Sequence, residues 1–142
     1  MTTRAAIFPG QGAQLVGMGQ DVAGQYPVAA ETFAEADQVV GFALSKLCFE
    51  GPAERLNATD IQQPAIFTTS VALYRAGLAA GRYPADAFVA LGGLSLGEYT
   101  ALHLAGAMSF ADALRLVMRR GQLMQQAAEQ QAGGMVSLIG GD

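Results

Sequence analysis

At 142 residues, 51% hydrophobic and 14% charged, the chain has the length for one globular domain with a real core and is too apolar for a disordered segment. A formal net charge of −4 argues against nucleic acid as the main partner, although Arg119 and Arg120 place two positive charges side by side. A single cysteine, Cys48, excludes an internal disulfide and a cysteine-rich metal site. The apolar residues around it, Leu44 to Phe49, point to a buried structural thiol. The start of the chain lacks the apolar run of a signal peptide, and no stretch is long enough to span a bilayer, so a cytoplasmic protein with no membrane partner is expected.

Arg4 to Phe8 is a short apolar run closed by Pro9-Gly10, the pattern of a buried strand entering a tight loop. Tyr26-Pro27 suits a helix start, and Ala29, Phe33, Ala36 and Val40 then give it one apolar face. Gly51-Pro52 ends the following segment, and Asn57 to Asp60 reads as a loop. Asn57-Ala58-Thr59 matches a glycosylation sequon, which without a secretion signal is a coincidence of composition. Pro64 is expected to open a helix whose stripe is Phe67, Val71, Tyr74 and Leu78, with Gly81 at its end. Ala87 to Leu91 has the continuous apolar character of a parallel strand covered on both faces. Ser109 and Asp112 resemble a capping box opening a helix to about Gln131, with Phe110, Leu114, Val117, Gly121 and Met124 on one stripe. Gly133-Gly134 stops that helix, and Met135 to Ile139 reads as a further strand. Strands alternating with helices indicate an α/β fold with a mainly parallel sheet.

Gly93-Leu94-Ser95-Leu96-Gly97 fits the G-x-S-x-G nucleophile elbow, between a strand and a helix as that motif requires. Composition alone gives roughly 0.08 such matches in a chain of this make-up, so the pattern is moderately specific. Glycines on either side let neighbouring chain pass close to a sharp turn, and the hydroxyl then projects above the sheet at a helix N-terminus. The Leu96 N–H is placed to be one donor to an oxyanion. The competing reading is a Gly-rich turn whose serine merely caps the helix.

Phe8-Pro9-Gly10-Gln11-Gly12 with Val16-Gly17-Met18-Gly19 resembles the opening of the malonyl-CoA:acyl-carrier-protein transacylases and polyketide acyltransferase domains. Gly51-Pro52-Ala53-Glu54, Gln63-Pro64-Ala65, Ser95 to Tyr99, and Met118-Arg119-Arg120-Gly121-Gln122 follow in that family's order. The resemblance runs from Ala5 to Gly140. It implies an α/β-hydrolase-like acyltransferase core, its N-terminal part at residues 1–132. Residues 133–142 would begin a small ferredoxin-like subdomain cut short.

By the same resemblance, Ser95 is the catalytic nucleophile that holds the acyl group as an ester. The backbone amides of Gln11 and Leu96 form the oxyanion hole, Arg120 clamps the malonyl carboxylate and Gln63 helps line the pocket. Malonyl-CoA and acyl carrier protein are the implied partners, with coenzyme A arriving as substrate and no metal or other cofactor needed. The sequence departs from the family at Leu94, where histidine is usual, and the family's catalytic histidine lies beyond residue 142, so these 142 residues alone are expected to be inactive or impaired. His103 follows Ser95 by eight residues, about 12 Å along a helix, too far for a general base, and reads as a packing or surface residue. A non-catalytic fragment or binding module, and a serine esterase using the same elbow, remain alternatives to the transferase.

Overall fold

The computed structural model describes residues 4–130 and Gly140, and its elements follow in the order β1 (Ala5–Phe8), α1 (Gln20–Gln25), α2 (Pro27–Val40), α3 (Leu44–Glu50), α4 (Ala53–Leu56), α5 (Thr59–Ala79), β2 (Ala90–Gly93), α6 (Leu96–Leu104) and α7 (Phe110–Gln130). The architecture is mixed α/β around a small parallel sheet, with Ala5 opposite Ala90 and Phe8 opposite Gly93. This register brings the C-terminal ends of both strands level. The loop after β1 and the turn after β2 therefore leave the sheet side by side, where ligand sites of parallel sheets form.

The second strand begins three residues later and ends two residues later than the apolar run suggests. Its pairing is anticipated by a bond from the Val89 N–H to the Arg4 carbonyl (3.0 Å), and continues into Gly93 because the partner strand ends at Phe8. Cover on both faces is not found among the described residues: Ile7 is 76% exposed and Val89 72% exposed. The expected strand at Met135 to Ile139, and the proposed boundary at residue 133, lie outside the described residues.

α5 carries the core. It begins at Thr59, not at Pro64, so the expected loop at Asn57 to Asp60 gives way to a first helical turn with Pro64 inside the helix. Every residue from Ile61 to Ala72 is buried, and that burial outweighs the backbone bond that proline forfeits. Against α5 pack Ala29, Phe33 and Ala36 of α2, Leu44 and Cys48 of α3, Leu96 of α6, and Phe110, Leu114 and Val117 of α7. The Phe67 and Phe110 rings stack with centroids 5.5 Å apart. α1 has no counterpart in the sequence reading; Gly19, at φ 77°, turns the chain into it.

α7 starts as its capping box demands. Ser109 Oγ accepts the Asp112 N–H at 3.1 Å and donates to the Asp112 carboxylate at 2.7 Å. At Gly121 the helix touches the N-terminal turn of α5 backbone to backbone, where a Cβ would stand 2.7 Å from the Thr59 carbonyl oxygen. Glycine is required there by proximity, and α7 sits at the depth on α5 that this contact sets.

Two outcomes follow from this packing. Gly121→Ala forces α7 away from α5, and denaturant melts of the purified chain should show a loss of about 1–3 kcal/mol, as overpacking elsewhere gives; an unchanged midpoint would contradict the close contact. Burial lifts the Cys48 thiol from 9.0 up to about 12, so between those pH values the unfolded chain sheds a proton that the folded chain keeps. Folded stability therefore falls as pH rises through that window. Iodoacetamide at pH 9 should label Cys48 slowly in buffer and rapidly in denaturant, and equal rates would refute the burial.

Candidate active site

Ser95 stands between β2 and α6 in a backbone conformation that a side chain rarely takes, φ 56° and ψ −106°. It is the only non-glycine residue with positive φ among the described residues. Such a conformation costs of order 1–3 kcal/mol and persists only where surrounding structure enforces it. Here the enforcement is close backbone contact. A Cβ on Gly93 would overlap the backbone of Gly97, and a Cβ on Gly97 would overlap the Phe8 carbonyl oxygen. Both glycines of the motif are thus needed to fold the turn down onto the end of β1.

The Ser95 hydroxyl makes no capping bond to its own helix, which removes the reading of this serine as a simple helix cap. Its Oγ instead accepts a 2.6 Å hydrogen bond from Nη2 of Arg120 on α7. The same guanidinium donates through Nη1 to Gln63 Oε1 at 2.6 Å, and the Gln63 amide donates onward to Met124 Sδ at 3.2 Å. Three of the residues singled out in the sequence, Ser95, Gln63 and Arg120, are therefore joined in one hydrogen-bonded chain drawn from three helices or their ends. Gln63 is fully buried and Arg120 is half-buried. The Tyr99 ring, one turn into α6, lies 5.8 Å from the guanidinium carbon.

Arg120 is not neutralised. Among the described residues its guanidinium makes no ion pair, and its two hydrogen-bond acceptors, a hydroxyl and an amide oxygen, carry no charge. A half-buried cation with uncharged partners has the chemistry to receive an anion, and a guanidinium fork matches a carboxylate.

The other two predicted residues frame the turn. Leu96 is the buried first residue of α6, so its N–H has no acceptor within the helix, while the Gly97 and Glu98 N–H groups are taken by the Leu94 and Ser95 carbonyls at 3.0 and 3.3 Å. Gln11 is exposed in the turn after β1, next to Gly10, where a Cβ would stand 3.2 Å from the Leu94 carbonyl oxygen. That loop is tied down further along: Gln14 accepts the Gly12 N–H at 3.0 Å and donates to Asn57 Oδ1 at 2.9 Å. Leu94 itself is 83% exposed at the crest of the turn.

His103 lies away from this cluster, near the C-terminal end of α6. Its Nδ1 is 3.0 Å from the Met108 carbonyl oxygen, and its ring packs against both Phe67 and Phe110. It is a packing residue, as its spacing from Ser95 suggests. Cys48 is buried in the core and takes no part. Among the described residues no group of three potential metal ligands comes together, and no helix is long and apolar enough to cross a membrane. Sequence reasoning missed Tyr99 and placed Met124 on a packing stripe only. For Met124 the signal was present in the four-residue step from Arg120, which puts both on one face of α7.

Comparison with known proteins gives a consistent result. Residues 6–140 match the acyl transferase domain family. The whole chain aligns with the malonyl CoA-acyl carrier protein transacylase of Escherichia coli K12 at 50% identity, covering 45% of that protein. The chain thus spans about half the length of the curated relatives it matches. The malonyl CoA-acyl carrier protein transacylase of Coxiella burnetii superposes on 88% of this chain and 39% of its own, with TM-score 0.83 and 42% identity. A malonyl-transacylase solved with a type II polyketide acyl-carrier protein superposes on 89% of this chain and 40% of its own, with TM-score 0.82 and 46% identity.

Proposed function

The chain belongs to the acyl transferase domain family, and we propose that it carries the nucleophile and carboxylate anchor of an acyl-carrier-protein S-malonyltransferase. The reaction moves malonyl from coenzyme A to Ser95, then to the phosphopantetheine thiol of acyl carrier protein, in cytoplasmic fatty-acid biosynthesis. The observation that carries this reading is the un-neutralised Arg120 guanidinium bonded directly to the Ser95 hydroxyl. A nucleophile and a carboxylate receptor that touch one another suit an acyl group that ends in a carboxylate a few bonds from its thioester carbon. The similarity to transacylases, one of them solved with its carrier protein, supports the choice of donor and acceptor.

The steps follow from the placement of each group. The malonyl carboxylate takes the place of the Ser95 hydroxyl on the Arg120 guanidinium and frees Oγ to react, while Nη1 keeps its bond to Gln63 Oε1. Ser95 Oγ attacks the thioester carbon and gives up its proton to a general base other than His103. The carbonyl oxygen, now negative, is received by the Leu96 N–H and, from the neighbouring loop, the Gln11 N–H. Collapse of this intermediate breaks the carbon–sulfur bond and releases coenzyme A as its thiol. The carrier's thiol then repeats the sequence on the Ser95 ester and leaves with the malonyl group. Coenzyme A enters as substrate, and the chemistry asks for no metal or redox group. For the fold we propose an α/β-hydrolase-like core with its N-terminal part at 1–132 and a small ferredoxin-like subdomain starting at 133–142.

A neutral-ester esterase would gain nothing from Arg120, because a substrate without a carboxylate leaves the guanidinium with no charged partner. Arg120→Ala in the full chain is the direct test. Losing a hydrogen-bonded charge of this kind costs about 2–3 kcal/mol, so the preference for malonyl-CoA over acetyl-CoA, measured as a ratio of kcat/KM, should fall roughly 30- to 150-fold. An unchanged ratio would sink the assignment of Arg120.

A further inference from the structure

We infer that Met124 is a positioning residue, its sulfur fixing which way the Gln63 amide faces so that Arg120 is held over Ser95. The inference rests on the functional reading above and adds a residue to it. Gln63 presents two unlike ends, an oxygen that only accepts and an NH2 that only donates. At one end the Arg120 Nη1–H donates to Oε1 at 2.6 Å. At the other the NH2 donates to Met124 Sδ at 3.2 Å. A thioether sulfur cannot donate and a guanidinium cannot accept, so only one orientation of the amide satisfies both neighbours. The reversed amide would aim two donors at each other beside Arg120.

The arrangement is built into the helices. Arg120 and Met124 are four residues apart and share a face of α7, so both reach the same residue of α5. Gly121 lies between them and lets α7 approach α5 closely enough for both contacts. Gln63 is fully buried, so no water stands ready to replace the sulfur as its acceptor. Its neighbour Gln62 is also buried and makes no bond to Met124, which supplies an internal control.

Met124→Leu keeps the apolar bulk and removes the acceptor. In the full chain, the malonyl-to-acetyl ratio of kcat/KM should fall about three- to tenfold, the range for one lost neutral hydrogen bond. The loss should appear mainly as a higher KM for malonyl-CoA. The same substitution in a Gln63→Leu background should have no further effect, because Met124 acts only through that amide. A packing role would instead lower the ratio equally in both backgrounds, and that result would overturn the inference. A second arm needs no activity. The side-chain amide resonances of Gln63 should shift in Met124→Leu while those of Gln62 stay in place; unmoved Gln63 resonances would also overturn it. If the wild-type protein, extended through the family's catalytic histidine, transfers no malonyl at all, the functional reading fails, and the amide resonances still decide whether Met124 orients Gln63.

Discussion

Ser95 stands where it does because three pieces of backbone meet with no side chain between them. Gly97 rests on the Phe8 carbonyl and Gly93 rests on Gly97, so the end of β1, the end of β2 and the start of α6 are locked together. That contact forces the positive φ at Ser95, and the positive φ swings its hydroxyl off the helix axis. A side chain at either glycine would separate the strand ends and release the strain. The parallel register of β1 and β2 fixes the same point from the other direction, since it decides which residues are level at the end of the sheet.

A second backbone contact positions the charge. Gly121 against Thr59 sets the distance between α5 and α7, and that distance places Arg120 within reach of both Gln63 and Ser95. The two contacts are independent in sequence and converge in space, one presenting the Ser95 hydroxyl and the other a cation. Glycine's lack of a side chain serves both, and in both the evidence is the obstruction that a Cβ would meet. What the site then selects is electrostatic. A half-buried guanidinium surrounded by neutral acceptors favours any ligand that delivers a negative charge to it.

Much of this was legible in the residues. The apolar stripes of α2 and α7, the Ser109–Asp112 cap, the proline at the start of α2 and the strand-turn-helix around Ser95 all follow from local patterns, because each is determined by neighbours within a turn or two. The start of α5 was not legible. Local rules place Pro64 at a helix beginning, and only the burial of α5 by several other elements carries the helix back to Thr59. β2 was displaced for a similar reason, since its limits come from pairing with β1 and not from its own apolar run. At the site, the elbow could be read from spacing. Arg120, however, looked like one of two solvated charges on a helix, and only its resemblance to a family pattern singled it out. Its contact with Ser95 spans 25 residues and its contact with Gln63 spans 57, separations over which local sequence carries no signal.

The central claim is that Ser95 Oγ becomes an acyl ester, and intact-protein mass after incubation with malonyl-CoA tests it most directly. A protein that carries these residues together with the family's catalytic histidine should gain the mass of one malonyl group, and its Ser95→Ala variant should gain none. An adduct of the same mass on the Ser95→Ala chain, or none on the wild type, would contradict the account.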